Sequence, residues 1–305
     1  MRRLRVLREV IARGSFSAAA ESLHLSQSAV SQQIAVLERE VGIALLERTS
    51  EGPKLTSAGE ALMEHGDAVM CRLEEAEREL AQIAGVEGGR IRLVSFPTAN
   101  ATLMTRALSL FRHRFPKVEL EFNEGEPEEA YPGVKRGDFD LAVVFDYPEF
   151  PLEFSRDVES ELIFEEPMRV ALPVGHPLAA AKSVRLADLE NENWHCGAMP
   201  SSCRFQVINL CREAGFEPEI SFQSEDYEVI KGFVAGGLGV SILPELAGEH
   251  PGMVLRPIRG QKPVRRLWAV TRENDVRSPA VGEMLGVLRE VCRTYPEQPT
   301  LRAAA

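Results

Sequence analysis

The sequence predicts a mixed α/β chain in which a small helical unit, one long helix and a larger two-lobed α/β unit follow one another. Three observations predict it. Residues 15–41 hold two closely spaced helix starts followed by apolar residues three and four apart. Residues 57–84 run without proline between Thr56 and Gly85. Beyond residue 90, short apolar runs alternate with helical patterns, the signature of an α/β layer arrangement. At 305 residues and 44% hydrophobic composition, two or three domains can each bury a core.

In the first helix Leu4, Leu7, Val10 and Ile11 form an apolar stripe, and Arg2, Arg3, Arg5 and Arg8 crowd the solvent side. Ser17 is expected to cap the run Ala18 to Leu23, and Ser26 to cap Gln27 to Val41. Only His24 and Leu25 separate the two, which leaves room for a tight turn. Val30, Ile34, Leu37 and Val41 place one face of the second helix against a core. The opposite face carries Gln27, Ser28, Ser31 and Gln32. Short hydroxyls and amides suit base edges, and Gln can address adenine in the major groove. A pair of helices inside a bundle remains the alternative, although its exposed face would more typically be Glu and Lys. Ala44 to Thr49 and Lys54 to Thr56 read as two short strands around Ser50-Glu51-Gly52-Pro53. The whole is a winged helix-turn-helix over 1–56, with Arg48 and Lys54 placed to meet phosphates or the minor groove.

The formal net charge is −11, which looks wrong for a nucleic-acid binder until it is divided. Residues 1–54 hold eight Lys or Arg against six acids, so the acidic excess lies downstream. A weakly basic reader of DNA needs a second copy beside it. Residues 57–84 supply the means. Leu62, Gly66, Val69, Leu73, Ala76, Leu80 and Ile83 alternate four and three apart as a heptad seam, which predicts dimerisation through Leu62, Val69, Leu73, Ala76, Leu80 and Ile83. The alternative is a helix packed on its own domain. Residues 85–89 are a hinge by composition.

From residue 90 the expected elements are a strand at Ile91 to Val94, a helix from Thr102 to Phe115, a strand at Val118 to Phe122 and a buried parallel strand at Asp140 to Phe145. A second lobe is expected over about 164–265. It has a strand at Arg169 to Pro173, helices near Ser202 to Ala214 and Asp226 to Ala235, and strands at Glu219 to Phe222, Gly239 to Leu243 and Met253 to Pro257. The strand Arg266 to Thr271 and the helix Pro279 to Tyr295 return the chain to the first lobe, about 90–163 and 266–295. Cys292 falls on the apolar face of that helix, and 296–305 read as a disordered tail.

The stretch LSQSAVSQQIAVLEREVGIALLERTSEGPKLTSAGE, with SFSAAAESLH before it, resembles the DNA-binding segment of the LysR-type transcriptional regulators. Ser28 stands where that family often has proline and Leu46 where it often has phenylalanine. SLFRHRFPKVELEF, KRGDFDLAVVF, ALPVGHPLA, FVAGGLGVSILPE and CREAGFEP are similar to the family's effector domain, so the likeness spans nearly the whole chain. It implies that Gln27, Ser28, Ser31 and Gln32 face bases while Ser26, Arg48, Lys54 and Thr56 touch backbone. It also implies that 57–84 is a dimer linker, and that 90–295 is a two-lobed effector-binding domain of the periplasmic-binding-protein type. Pro127 and Pro132 interrupt the place where the family usually has a regular helix, which predicts an altered wall on that side of the cleft.

Ser95, Phe96, Thr98 and Asn100 follow the first strand and open a helix; Ser201, Ser202 and Arg204 form a similar junction in the second lobe. Hydroxyls, free backbone N–H groups and Arg204 could together hold a small carboxylate-bearing effector. Both junctions could equally be no more than capped helix starts. No cofactor or metal is expected, since the six histidines are scattered and without metal spacing. His195 and Cys196 are adjacent in a strand and point to opposite faces, which argues against an enzyme. Two alternatives stay open: a redox regulator using Cys203 and Cys211, eight residues apart, and a solute-binding protein without DNA function. No apolar run approaches a membrane span and the N-terminus is arginine-rich, so a cytoplasmic dimer or tetramer is expected, acting on a DNA operator and possible contacts with RNA polymerase.

Overall fold

The computed structural model describes residues 2–49, 52–66, 69, 89–198, 201–273 and 279–295. The chain divides into two compact units, 1–86 and 87–305.

In the first unit, helices α1 (Arg2–Ala12), α2 (Phe16–Ser22) and α3 (Gln27–Val41) enclose Leu7, Val10, Val30, Ile34 and Leu37. Ser15, not Ser17, caps α2: its backbone is extended and its hydroxyl accepts from the Ala18 N–H at 3.1 Å. The earlier start brings Phe16 against the core, leaving Ser17 exposed in the first turn. Ser26 caps α3 as expected, accepting from the Ala29 N–H at 3.2 Å. His24 takes a left-handed φ of 52° to turn the chain between the helices. Strands β1 (Leu46–Thr49) and β2 (Gly52–Leu55) form the antiparallel wing, with Glu47 opposite Lys54 and Arg48 opposite Pro53. Gly52 is required where the wing meets the α1–α2 turn, because a Cβ there would lie 2.6 Å from the Gly14 carbonyl oxygen. A further helix, α4, covers 57–66. Leu62 packs on the unit's own core, and Leu4 side-chain atoms close over Gly66. The first turns of the predicted seam therefore serve this unit. Val69 is 55% exposed. Leu73, Ala76, Leu80, Ile83, most of the hinge and the tail 296–305 lie outside the described residues.

The second unit is built on parallel strands β3 (Arg90–Ser95), β4 (Glu119–Glu124) and β5 (Leu141–Asp146), with every residue of β5 buried. The remaining strands are β6 (Val158–Pro173), β7 (Asn193–Cys196), β8 (Glu219–Gln223), β9 (Ser241–Pro244), β10 (Met253–Pro257) and β11 (Val264–Arg272). Arg169 to Pro173 is not a separate strand. It is the far half of β6, which pairs with β11 up to Pro167 and with β9 and β10 from Met168 onward. The long strands β6 and β11 thus carry the chain from one lobe to the other and back.

Five helices flank these sheets. The helix α5 begins at Pro97, passes a wider π-type turn at Asn100–Met104 and continues through Thr105–Arg114. It starts five residues before the expected Thr102, because Phe96 is extended and Pro97 is well suited to a first helical position. Helix α6 (Pro127–Arg136) forms despite its two prolines. Pro127 occupies the first position, where no N–H is needed, and Pro132 supplies no N–H to the helix ladder while Ala130, Gly133 and Val134 bury against the sheet. Helices α7 (Ser202–Glu213) and α8 (Tyr227–Ala235) lie in the second lobe, and α9 (Pro279–Thr294) packs on α5 with Cys292 buried.

Candidate functional site

Two surfaces bear on the sequence expectations, one in each unit. On α3, Gln27, Ser28, Ser31, Gln32 and Ala35 are all exposed, and Val30, Ile34 and Leu37 are buried beneath them. That spacing separates an inward apolar stripe from an outward face that is uncharged from Gln27 to Ala35, with Arg39 exposed in the last turn. The Ser26 and Ser28 hydroxyls lie 3.0 Å apart, joining Ser28 to the cap. Lys54 is exposed on the wing, and Arg48 lies on β1 across from Pro53. The Thr56 hydroxyl donates to the Ala44 carbonyl at 2.7 Å and accepts from the Gly59 N–H, so it caps α4. Glu38 was not singled out in the sequence, yet it accepts from the Leu45 and Leu46 N–H groups at 2.8 and 3.2 Å and so ties α3 to the wing.

The second surface is a cleft of about 730 Å³ between the lobes of unit 2. One wall is the β4–α6 connection, including Glu124, Glu126, Glu128 and Glu129; the other comes from the β7–α7 and β8–α8 connections, including Ser201, Cys203, Glu225, Asp226 and Tyr227. Of the seven effector-site residues expected from sequence, Ser201 lines this cavity. Its hydroxyl caps α7 by accepting from the Arg204 N–H. Ser202 is the first residue of α7, but it does not line the cavity. Ser95, Phe96 and Thr98 are buried away from the lining, with the Ser95 hydroxyl unpartnered among the described residues. Asn100 donates to the Ser95 carbonyl and to Glu124 at 3.1 and 3.0 Å, which holds that wall in place. Arg204 lies elsewhere: it bonds Gln223 at 2.7 Å and borders a separate groove with Phe150 and Phe205.

The cation that does sit close to the cleft is Arg265, which the sequence reading passed over. It is fully buried, donates to Glu166 and to Thr98, and stands over the rings of Phe96 and Phe145. Glu166 also accepts from the Leu246 N–H, so one ion pair links α5, β6, β11 and the second lobe. Burial raises the Glu166 pKa, and the Arg265 charge opposes that rise. Burial also pushes Glu126 up to about 7, with the charge of Glu128 adding to it. The Cys203 thiol accepts hydrogen bonds from Tyr147 and Tyr227 at 3.4 and 3.3 Å, and burial raises its pKa; burial pushes Cys211 up to about 12. Both are therefore protonated thiols near neutrality, which is the unreactive form.

Residues 1–60 match the family model described as bacterial regulatory helix-turn-helix protein, lysR family, and residues 84–293 match the LysR substrate binding domain. The transcriptional dual regulator GltC of Bacillus subtilis is 35% identical over 93% of this chain and 94% of its own length. The regulator CbbR of Xanthobacter flavus is 31% identical over 98% and 90%. Among solved structures, a full-length OxyR variant from Pseudomonas aeruginosa shares the fold with a TM-score of 0.69 at 24% identity, covering 95% of this chain and 96% of that one. Full-length CbnR in complex with its target DNA gives 0.62 at 24% identity, covering 95% and 99%. With a DNA-reading helix and wing at one end and a substrate-binding domain over most of the rest, this chain belongs to the LysR family of transcriptional regulators.

Proposed function

We propose that the chain reads a partly symmetric DNA operator as a dimer, and assembles further to a tetramer, under the control of a small molecule held in the interlobe cleft. The exposed, uncharged face of α3 carries this reading: Gln27, Ser28, Ser31 and Gln32 present hydrogen-bonding groups to base edges while Ser26, Arg48, Lys54 and Thr56 serve the backbone. Pairing runs through the helix after the wing, from Val69 onward to Leu73, Ala76, Leu80 and Ile83, since Leu62 is already engaged by its own unit. Effector binding closes the lobes across the Arg265–Glu166 pair and changes how the dimers are placed on DNA. In this reading the chain acts in the cytoplasm, where contact with RNA polymerase would complete its action.

A carboxylate-bearing effector finds little support in the cleft. Arg204, its expected partner, borders a different groove, and the lining carries acids instead. The redox alternative is disfavoured by the protonated state of both thiols and by their eight-residue separation along α7, about 12 Å of helical rise. A gel shift with the full chain tests the DNA reading: sequence-selective retention is expected, and equal retention of every duplex would contradict it.

A further inference from the structure

We propose that the cleft takes a small organic cation, an amine whose separated charges meet the acids of the two walls. The inference rests on the reading of the cleft as the effector site and names the chemistry it selects.

The argument begins with what lines the cavity. Glu124, Glu126, Glu128 and Glu129 come from one wall and Glu225 and Asp226 from the other, and the lining holds no Lys, Arg or His. Two of these acids are already committed, Glu124 to Asn100 and Asp226 to the Glu228 N–H that starts α8. The carboxylates of Glu126, Glu128, Glu129 and Glu225 make no hydrogen bond or ion pair among the described residues. Glu126 is the telling one. It is half-buried at the start of α6, yet its side chain does not cap the helix. The Arg265 charge favours the ionised form of Glu126 only in part, and no donor or salt-bridge partner among the described residues reaches the carboxylate, so a positively charged ligand supplies what the fold omits.

An anionic ligand would meet the reverse situation, with like charges on both walls. Arg265 offsets this only in part: its charge acts on Glu126, but its hydrogen bonds go to Glu166 and Thr98 below the cleft. A bare metal ion does not suit the geometry either. No three His, Cys, Asp or Glu side chains among the described residues come together as a ligating group. The acids are spread along two walls, with Pro97, Gly197, Ala198 and Cys203 supplying less polar surface between them. That pattern fits charged ends joined by methylenes, in a volume ordinary for a small-molecule site.

Titration calorimetry on the full chain near pH 8 tests this with 1,4-diaminobutane and with succinate, a probe of the same length and opposite charge. The diamine is expected to bind, and Glu126→Gln to weaken it roughly tenfold, the scale of one charge-assisted bond. Glu225→Gln on the opposite wall gives a second, independent loss. Binding should also weaken as the pH is lowered toward about 6, where Glu126 takes up its proton. Succinate binding with the diamine silent would overturn the cation assignment and leave the effector cleft standing. Silence of both probes would also overturn it. The effector reading itself fails on a different result, a DNA footprint unchanged by every compound of a broad metabolite panel.

Discussion

The two candidate surfaces of this regulator are built in opposite ways. From Gln27 to Ala35 the outward face of α3 is uncharged, built of amides, hydroxyls and one alanine, whereas the cleft walls carry six acids and no base. A neutral face reads by hydrogen-bond pattern and leaves attraction to the phosphates to other groups. Under the cation proposal, the acidic cleft selects by charge first. The difference also extends to what holds each surface: α3 rests on an ordinary apolar core, while the cleft stands over a buried ion pair that joins its lobes.

The largest effect should come from breaking that pair. Arg265→Met leaves Glu166 buried without its cation and should destabilise the second unit by about 3–5 kcal/mol. Both tryptophans, Trp194 and Trp268, lie in that unit, so urea unfolding followed by their fluorescence reads it directly. An unchanged midpoint would show that the pair does not hold the lobes.

On the DNA side, Gln32→Ala should cost about 1–3 kcal/mol of discrimination at one base position. Lys54→Ala should weaken all sequences alike and lower the salt slope by about one. Competition binding against random DNA separates the two, and an equal loss for both variants would erase the distinction between reading and positioning residues. Glu38→Ala strands the Leu45 and Leu46 N–H groups and should cost about 1–3 kcal/mol, with a uniform loss of affinity as the wing loosens. Thermal melting alongside binding isotherms checks it.

The smallest effect concerns Glu126. Its ordinary pKa of 4.5 is raised to about 7, so the folded chain keeps a proton that the unfolded chain releases first. Stability from this group is complete at acid pH and declines as the pH rises between about 4.5 and 7. Glu126→Gln should remove that decline, leaving the variant slightly more stable near pH 8, by less than about 1 kcal/mol because solvent reaches the group. Melting temperatures across that range decide it.

The reading helix was legible in the sequence because everything it needs lies within one helical repeat. Ser26 starts it, Val30, Ile34 and Leu37 bury one side, and the other side follows from the 3.6-residue period. The cleft was not legible in the same way. Its lining comes from residues near 97, 124–129, 197–203 and 224–227, which meet only after β6 and β11 have crossed between lobes. The acidic runs Glu124 to Glu129 and Glu225-Asp226 each lie between a strand end and a helix start, a position that the sequence pattern alone does not tie to a shared cleft. Arg265 and Arg266 illustrate the remaining limit. Adjacent in β11, one is fully buried against Glu166, 99 residues away, and the other is partly exposed against Asp146, a choice that depends on long-range partners. Pro132 shows the same limit: burial of Ala130, Gly133 and Val134 holds α6 as a helix despite a residue that supplies no backbone donor.

The most direct test of the whole account is selection of bound sequences from a random duplex library by the full chain, repeated with a Gln27→Ala, Gln32→Ala double variant. The account predicts a two-fold symmetric enriched sequence for the native chain, and loss of preference at specific positions in the variant while bulk DNA is still retained. The absence of any enriched sequence, or the same preference in both proteins, would contradict the assignment of α3 as the reading element.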